Sequence, residues 1–161
     1  MRDRRYVAMH RGGPLSLEHH RLLALWAAAC AEHVLSLFSS RCPMDNRPLE
    51  AIHAARAWAQ GELSVGKARE ASVAAHAAAR EAHDRAATYV ARAAGHAVAT
   101  AHMADHSPGA AIYALKALRS KANFNESEIS QEHDWQIAQL PEEIRDLVLS
   151  TFATKFPKLD L

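Results

Sequence analysis

Apolar residues recur at helical spacing along most of the chain. In residues 17–39 they fall three or four positions apart, so they share one face of a helix. Ser16 precedes this segment and suits the position that caps a helix N-terminus. The pattern therefore predicts a first helix over about 17–39, in which Leu22, Leu25, Trp26, Ala29, Cys30, Val34, Leu37 and Phe38 recur at helical spacing.

Start and stop residues divide the rest of the chain into further helices. Pro48 suits the first turn of a helix that stops at Gly61. Ser64 predicts a helix over about 65–83, and Asp84 predicts the next one over about 85–105. The Ser107-Pro108 pair then restarts a helix that reaches about Arg119. Asn125 with Glu128 and, later, Pro141 begin the last two.

These segments predict an all-α protein, a single compact bundle of about six or seven Ala-rich helices. Thirty-five of the 161 residues are alanine, which forms helices well but fills little volume, so the helices must pack closely. Ala71, Ala75, Ala78 and Ala82 form one such small-residue stripe. We expect an irregular N-terminal arm over 1–15, one helical domain over 16–154 and a C-terminal tail over 155–161.

Charge is unevenly distributed along the chain. The net charge is +1, but residues 122–161 contain three basic and eight acidic side chains, a net charge of −5. A near-neutral chain with an acidic end does not fit a dedicated nucleic-acid-binding protein. It fits either an ordinary solvated surface or a contact with a basic protein partner. The candidate contact residues are Glu126, Glu128, Glu132, Asp134, Glu142, Glu143 and Asp146.

The chain is expected to be cytoplasmic. Its two cysteines, Cys30 and Cys42, are interpreted as reduced thiols. Basic residues near the start precede the apolar run LLALWAAAC, but charged and histidine residues directly flank that run, which does not suit a signal peptide. No apolar run approaches the roughly 20 residues that a membrane-spanning helix needs.

The stretch GELSVGKA, residues 61–68, nearly matches the phosphate-binding P-loop. A P-loop needs a buried strand before it, and it needs Ser or Thr after the lysine to hold magnesium. Here a helical segment precedes Gly61, and Ala68 follows Lys67. We therefore interpret the stretch as a turn between two helices, with Lys67 exposed to solvent.

Eleven histidines are many for this length, and the densest group is His96, His102 and His106. His102 and His106 are four apart, so on one helix they would share a face, as paired metal ligands do. His96 would lie about 120° away from His102. The alternative is structural: His106 would end a helix, and His96 would be a hydrogen-bonded interior side chain. Similarly, His76 and His83 are expected to flank the alanine stripe.

Three blocks of the sequence resemble a known family. They are RPLEAIHAARAWAQGELSVGKAREASVAAHAAAREA (47–82), AARAAGHAVATAHMADHSPGAAIYALKA (near 90–117) and EHDWQIAQLPEEIRDLV (132–148). These blocks are similar to the immunity proteins of bacterial polymorphic-toxin systems, in the group that resembles immunity protein five. The resemblance covers about residues 20–150. It implies an all-helical cytoplasmic protein that binds and neutralises a cognate toxin, with no family site residues to transfer.

Two functions follow as hypotheses. The first is an immunity protein that blocks a protein toxin by surface complementarity, without catalysis or cofactor. The second is a small helical enzyme or a ligand- or metal-binding protein that uses the region of His96, His102 and His106. The alanine stripes also suit helix pairing between chains, so a homo-oligomer is a further possibility.

Overall fold

The computed structural model describes residues 1–156. Within this range the chain forms eight α-helices and no β-strand, and the predicted all-α class is confirmed. Two short 3₁₀ turns at Arg4–Tyr6 and Met9–Arg11 precede the helices, and a third lies at Ala104–His106. The helices are α1 (Leu17–His33), α2 (Ser36–Ser39), α3 (Arg47–Ala59), α4 (Val65–Glu81), α5 (Arg85–Ala99), α6 (Ser107–Ser120), α7 (Glu126–Ala138) and α8 (Glu142–Lys155).

Side-chain caps begin four of the helices at the predicted positions. Ser16 accepts a hydrogen bond from the His19 backbone N–H, and Ser64 accepts one from Lys67. Asp84 and Asn125 do the same three residues ahead of themselves, at the starts of α5 and α7. Each cap satisfies one of the amide groups that the first turn of a helix leaves without a partner.

Two predicted helices are shorter than expected. The first ends at His33, because the backbone tightens there to bonds between residues three apart, such as Leu37 N–H to the Val34 carbonyl. This turn separates α2 and brings the number of helices to eight, against the six or seven expected. The helix predicted over 85–105 ends at Ala99, where Thr100 donates its hydroxyl hydrogen to the His96 carbonyl.

Helix α5 lies at the centre and contacts α1, α2, α3, α4 and α6. Its buried side chains are small, and most of the buried residues around it are alanine, with Ile52, Trp58 and Phe38 as larger exceptions. Ala75 and Ala78 of the predicted alanine stripe are fully buried in the core around α5, whereas Ala71 and Ala82 at the ends of the stripe are partly buried. The stripe therefore works as a close-packing surface between helices of one chain.

Larger side chains fill a second core between α1, α6, α8 and the N-terminal arm. Trp26, Ile144, Val148 and Phe152 are buried here, together with Tyr6 of the arm. The Tyr6 hydroxyl forms a 2.7 Å hydrogen bond with that of Thr151. The arm is thus docked on the helices through a buried aromatic residue, which the irregular composition of residues 1–15 did not predict.

The turn at GELSVGKA has the geometry predicted for it. Gly61 has a φ of +78°, a left-handed conformation, and its N–H donates to the Trp58 carbonyl at the end of α3. Lys67 lies in the exposed first turn of α4, where its ammonium group pairs with Glu70 at 3.2 Å. No strand precedes this turn within residues 1–156, so the stretch lacks the buried strand that a P-loop needs.

Two alanine substitutions in this stretch should have opposite effects. Gly61→Ala should destabilise the protein by about 1–2 kcal/mol, because a side chain disfavours a positive φ. Gly66→Ala should stabilise it by up to about 1 kcal/mol, since Gly66 is helical and its added methyl group meets only open space and Ser64. Urea unfolding of both variants checks this, and a Gly61→Ala variant as stable as the parent would contradict it.

Candidate functional site

Two of the seven candidate acidic residues take part in ion pairs around the turn between α6 and α7. Glu126 lies 3.3 Å from the guanidinium group of Arg119, and Glu128 lies 2.6 Å from the ammonium group of Lys121. All four side chains are at least partly exposed, so the two pairs contribute little to stability. They do neutralise part of the charge that the sequence suggested for this region.

Glu132 is buried, unlike the other candidate acidic residues. Its carboxylate accepts from His33 Nδ1, with the two oxygens at 2.8 and 2.7 Å. The His33 ring stacks on Trp135 at a centroid distance of 3.6 Å. Helical spacing alone could not reveal this, because His33 is 99 residues away in the chain. Glu132 therefore joins α1 to α7, and it offers little surface to a partner.

The remaining four candidates are exposed. Glu142, Glu143 and Asp146 lie in the first two turns of α8, and Asp134 lies on α7. Glu142 is 3.6 Å from Arg145, whereas the other three form no salt bridge within residues 1–156. We call Glu142, Glu143 and Asp146 the acidic face. These three residues share one helix, whereas Asp134 is exposed on α7.

The expectation that His102 and His106 share a helix face is wrong. Because α5 ends at Ala99, His102 lies in the turn that follows, and His106 lies at the N-cap position of α6. His106 ends the short 3₁₀ turn Ala104–His106, and not the long α-helix that the structural alternative supposed. His102 instead borders a small cavity of about 30 Å³ beside Arg2, Tyr6 and His20.

The turn brings His106 to His96 instead. Their Nδ1 atoms are 3.3 Å apart, within range of a hydrogen bond between two imidazoles. His96 also stacks on Tyr113 at 5.0 Å and meets the edge of His76 at 5.5 Å, both measured between ring centroids. We call His76, His96, His106 and Tyr113 the imidazole cluster. It joins α4, α5 and α6.

His76 was not expected in this cluster. Its predicted partner His83 lies beyond the end of α4, in a left-handed conformation with φ of 51°. His76 instead points to α5, where Arg92 donates a 3.1 Å hydrogen bond to its Nδ1. The signal that could have indicated this packing is the glycine within each neighbouring helix.

Two glycines leave the space that the imidazole rings occupy. A Cβ atom on Gly95 would lie 2.7 Å from Cε1 and Nε2 of His76, and one on Gly109 would lie 2.9 Å from Nδ1 of His96. Both distances are too short for real atoms. The rings of α4 and α5 thus lie directly against the backbones of α5 and α6, which explains why each helix accepts a glycine despite its low helix propensity.

The cluster is uncharged near neutral pH. Burial, together with the nearby His106, His76 and Arg92, lowers the pKa of His96 to about 4. Burial likewise lowers the pKa values of His76 and His106. Neutral rings can exchange N–H···N hydrogen bonds with one another, and either of the paired rings can act as the donor.

A cleft of about 280 Å³ opens beside the cluster. His96, His106 and Tyr113 form part of its wall, and Lys116 and Lys155 add two ammonium groups. Among residues 1–156, no group of three or more His, Cys, Asp or Glu side chains is arranged to hold a metal ion. The two lysines favour an anionic or polar ligand over a cation at this cleft.

The fit between His76 and Gly95 can be tested by a double-mutant cycle. Gly95→Ala should cost about 1–3 kcal/mol of unfolding free energy, because the new methyl group displaces the His76 ring. In a His76→Ala background the same change should be neutral or stabilising, since alanine has the higher helix propensity. Equal costs in the two backgrounds, measured by urea unfolding, would mean that the ring does not occupy this space.

The stability of the protein should fall as pH drops from about 6.5 to 4. His96 binds a proton less readily in the folded than in the unfolded state, so its contribution is complete above its unfolded pKa of about 6.5 and is lost below it. The loss from His96 alone is at most about 3 kcal/mol. A His96→Phe variant should show a flatter unfolding free energy over this range. An identical pH dependence would show that His96 titrates normally.

No helix within residues 1–156 is long and apolar enough to cross a membrane.

Comparison with known proteins shows the family of this chain. The chain has no match among curated proteins and none among solved structures. A family model described as "Imm-5 like putative immunity protein" matches residues 13–143. The match extends from the end of the N-terminal arm through α1–α7 to the first residues of α8, and the chain therefore belongs to the Imm-5-like family that this model describes.

Proposed function

We propose that this protein is an immunity protein that binds a cognate bacterial protein toxin and neutralises it without catalysis. The observation that carries this proposal is the family match over residues 13–143, which includes all of the helices α1–α7. We further propose that it acts in the cytoplasm. A homo-oligomer is compatible with this function, but the small-residue surfaces described above are already used within one chain.

The acidic face supports an electrostatic mode of toxin binding. Glu143 and Asp146 are exposed and unpaired within the described residues, and they stand on a helix whose other side is anchored by Ile144 and Val148. Charges held on a rigid helix keep their positions during an encounter. Complementary charges mainly speed association and orient the partner, while a few buried contacts supply most of the affinity. The proposed partner therefore has a basic surface.

The second candidate function is an enzyme or a ligand- or metal-binding protein at His96, His102 and His106. The structure reduces the set of residues that could form such a site. His102 faces a different cavity, so only His96 and His106 could contribute to one site. The lysines beside them favour an anion over a metal ion. Ligand binding in this cleft is compatible with toxin binding, and a catalytic role lacks a supporting observation.

Charge reversal on the acidic face should weaken protection against the toxin. Each candidate toxin gene found beside this gene is co-expressed with the wild type, with Glu143→Lys/Asp146→Lys, or with the control Glu50→Lys/Glu62→Lys. Glu50 and Glu62 are also exposed and form no salt bridge within residues 1–156, but they lie at the start of α3 and in the turn before α4. We expect about tenfold or greater loss of affinity for the first variant and restored growth with the control.

Two outcomes would count against this account. If the wild type does not restore growth beside any neighbouring toxin, the proposed function is wrong. If both double variants lose protection equally, the acidic face is not the specific contact. Circular dichroism of the purified variants verifies that they fold.

A further inference from the structure

A basic groove runs along the outer side of α5 and α6. It consists of two clefts that share Lys116. One is the 280 Å³ cleft beside the imidazole cluster, which Lys155 also lines. The other, of about 500 Å³, lies towards the start of α5 and the end of α6 and is lined by Arg85, Tyr89 and Phe124. We call the two clefts together the α5–α6 groove.

Aromatic rings run along this groove. Tyr89 and Tyr113 lie 5.9 Å apart and Tyr113 and His96 lie 5.0 Å apart, measured between centroids. Phe124 stands at one end with 44% of its surface exposed. The groove therefore offers apolar contact along its length, and not only charge.

Three cations of the groove have no carboxylate partner. Arg85, Lys116 and Lys155 form no salt bridge within residues 1–156, whereas Arg119 and Lys121 at the same cleft pair with Glu126 and Glu128. The Lys116 ammonium group lies 5.0 Å from the Tyr113 ring centroid and 6.0 Å from that of Tyr89. It is held by cation–π contacts, and its remaining hydrogen-bond donors are available.

We propose that the α5–α6 groove binds an acidic segment of the protein partner, one with spaced carboxylates and apolar or aromatic side chains between them. The carboxylates would pair with Arg85, Lys116 and Lys155, and the intervening side chains would contact Tyr89, Tyr113 and Phe124. This inference rests on the proposed function, because it assigns a second contact with the same partner. The acidic face and the groove would then hold opposite charges of one toxin.

The charges of the groove fit a peptide better than a nucleic acid. Within residues 1–156, three cations of the groove are unpaired, and the carboxylates of Asp105, Glu126 and Glu128 stand at its borders. A nucleic acid has a phosphate on every nucleotide and would meet these carboxylates, whereas a peptide can place neutral side chains opposite them. Proteins that bind nucleic acid through its phosphates usually neutralise more of them than three cations allow.

Fluorescence anisotropy with a labelled peptide tests this inference without the toxin. The probe is a fluorescein-labelled peptide in which aspartate recurs every third residue among tyrosine and glutamine. We expect saturable binding to the full chain that Lys116→Glu weakens about tenfold or more. The control Lys67→Glu changes the same charge at an exposed site on α4 and should leave binding within about twofold of wild type. Replacing each aspartate of the probe by asparagine should abolish binding.

Several results would overturn the assignment. They are no saturable binding, equal weakening by Lys67→Glu and Lys116→Glu, or tighter binding of an oligothymidine than of the peptide. A concentration-dependent dimer that Lys116→Glu dissociates would mean that a second copy of the chain fills the groove. Toxin protection separates this inference from the proposed function. If the wild type and Lys116→Glu protect equally, the groove assignment fails but the immunity function stands.

Discussion

The close approach of neighbouring helices to α5 is the constraint on which the rest of the structure depends. All nine buried residues of α5 are alanine, glycine or valine. Side chains this small extend only a short distance from the backbone. They make close contacts across the interface only if the helix backbones lie near one another. The high alanine content is therefore a requirement of the packing. Gly95 is its extreme case, where the His76 ring lies on the backbone itself.

Two different cores position the two proposed contact surfaces. The imidazole cluster joins α4, α5 and α6, and Tyr89, Tyr113 and Lys116 of the α5–α6 groove stand on two of these packed helices. The acidic face depends on a different core, in which Phe152 packs against Trp26 and Tyr6 is bonded to Thr151. The alanine packing around α5 sets the helix spacing, and the aromatic core holds α8 and the N-terminal arm in place.

Local signals predicted much of the fold. Capping residues such as Ser16, Ser64 and Asp84 act within three residues of themselves, so the sequence is enough to locate the helix starts. Helix ends were less predictable. Thr100 is not a strong stop signal, and α5 ends there through backbone and side-chain bonds formed in the turn itself. The predicted C-terminal tail falls mostly on residues 157–161, outside the described residues.

The candidate sites were less predictable, because their geometry depends on contacts distant in the chain. His102 and His106 were grouped by spacing, yet the end of α5 separates them and pairs His106 with His96. Glu132 was predicted to be a surface charge, but its carboxylate is buried in a hydrogen bond with His33. The groove was missed because Tyr89, Tyr113 and Phe124 lie on different elements, and only the fold aligns them.

Hydrogen–deuterium exchange of the full chain with and without the neighbouring toxin tests the central claim most directly. The claim is that one partner contacts two oppositely charged surfaces on a rigid helical scaffold. We predict slower exchange in residues 113–124 and 142–148 on binding, with little change in α3 and α4. Protection confined to α3 and α4, or a toxin complex that protects neither charged surface, would contradict the account.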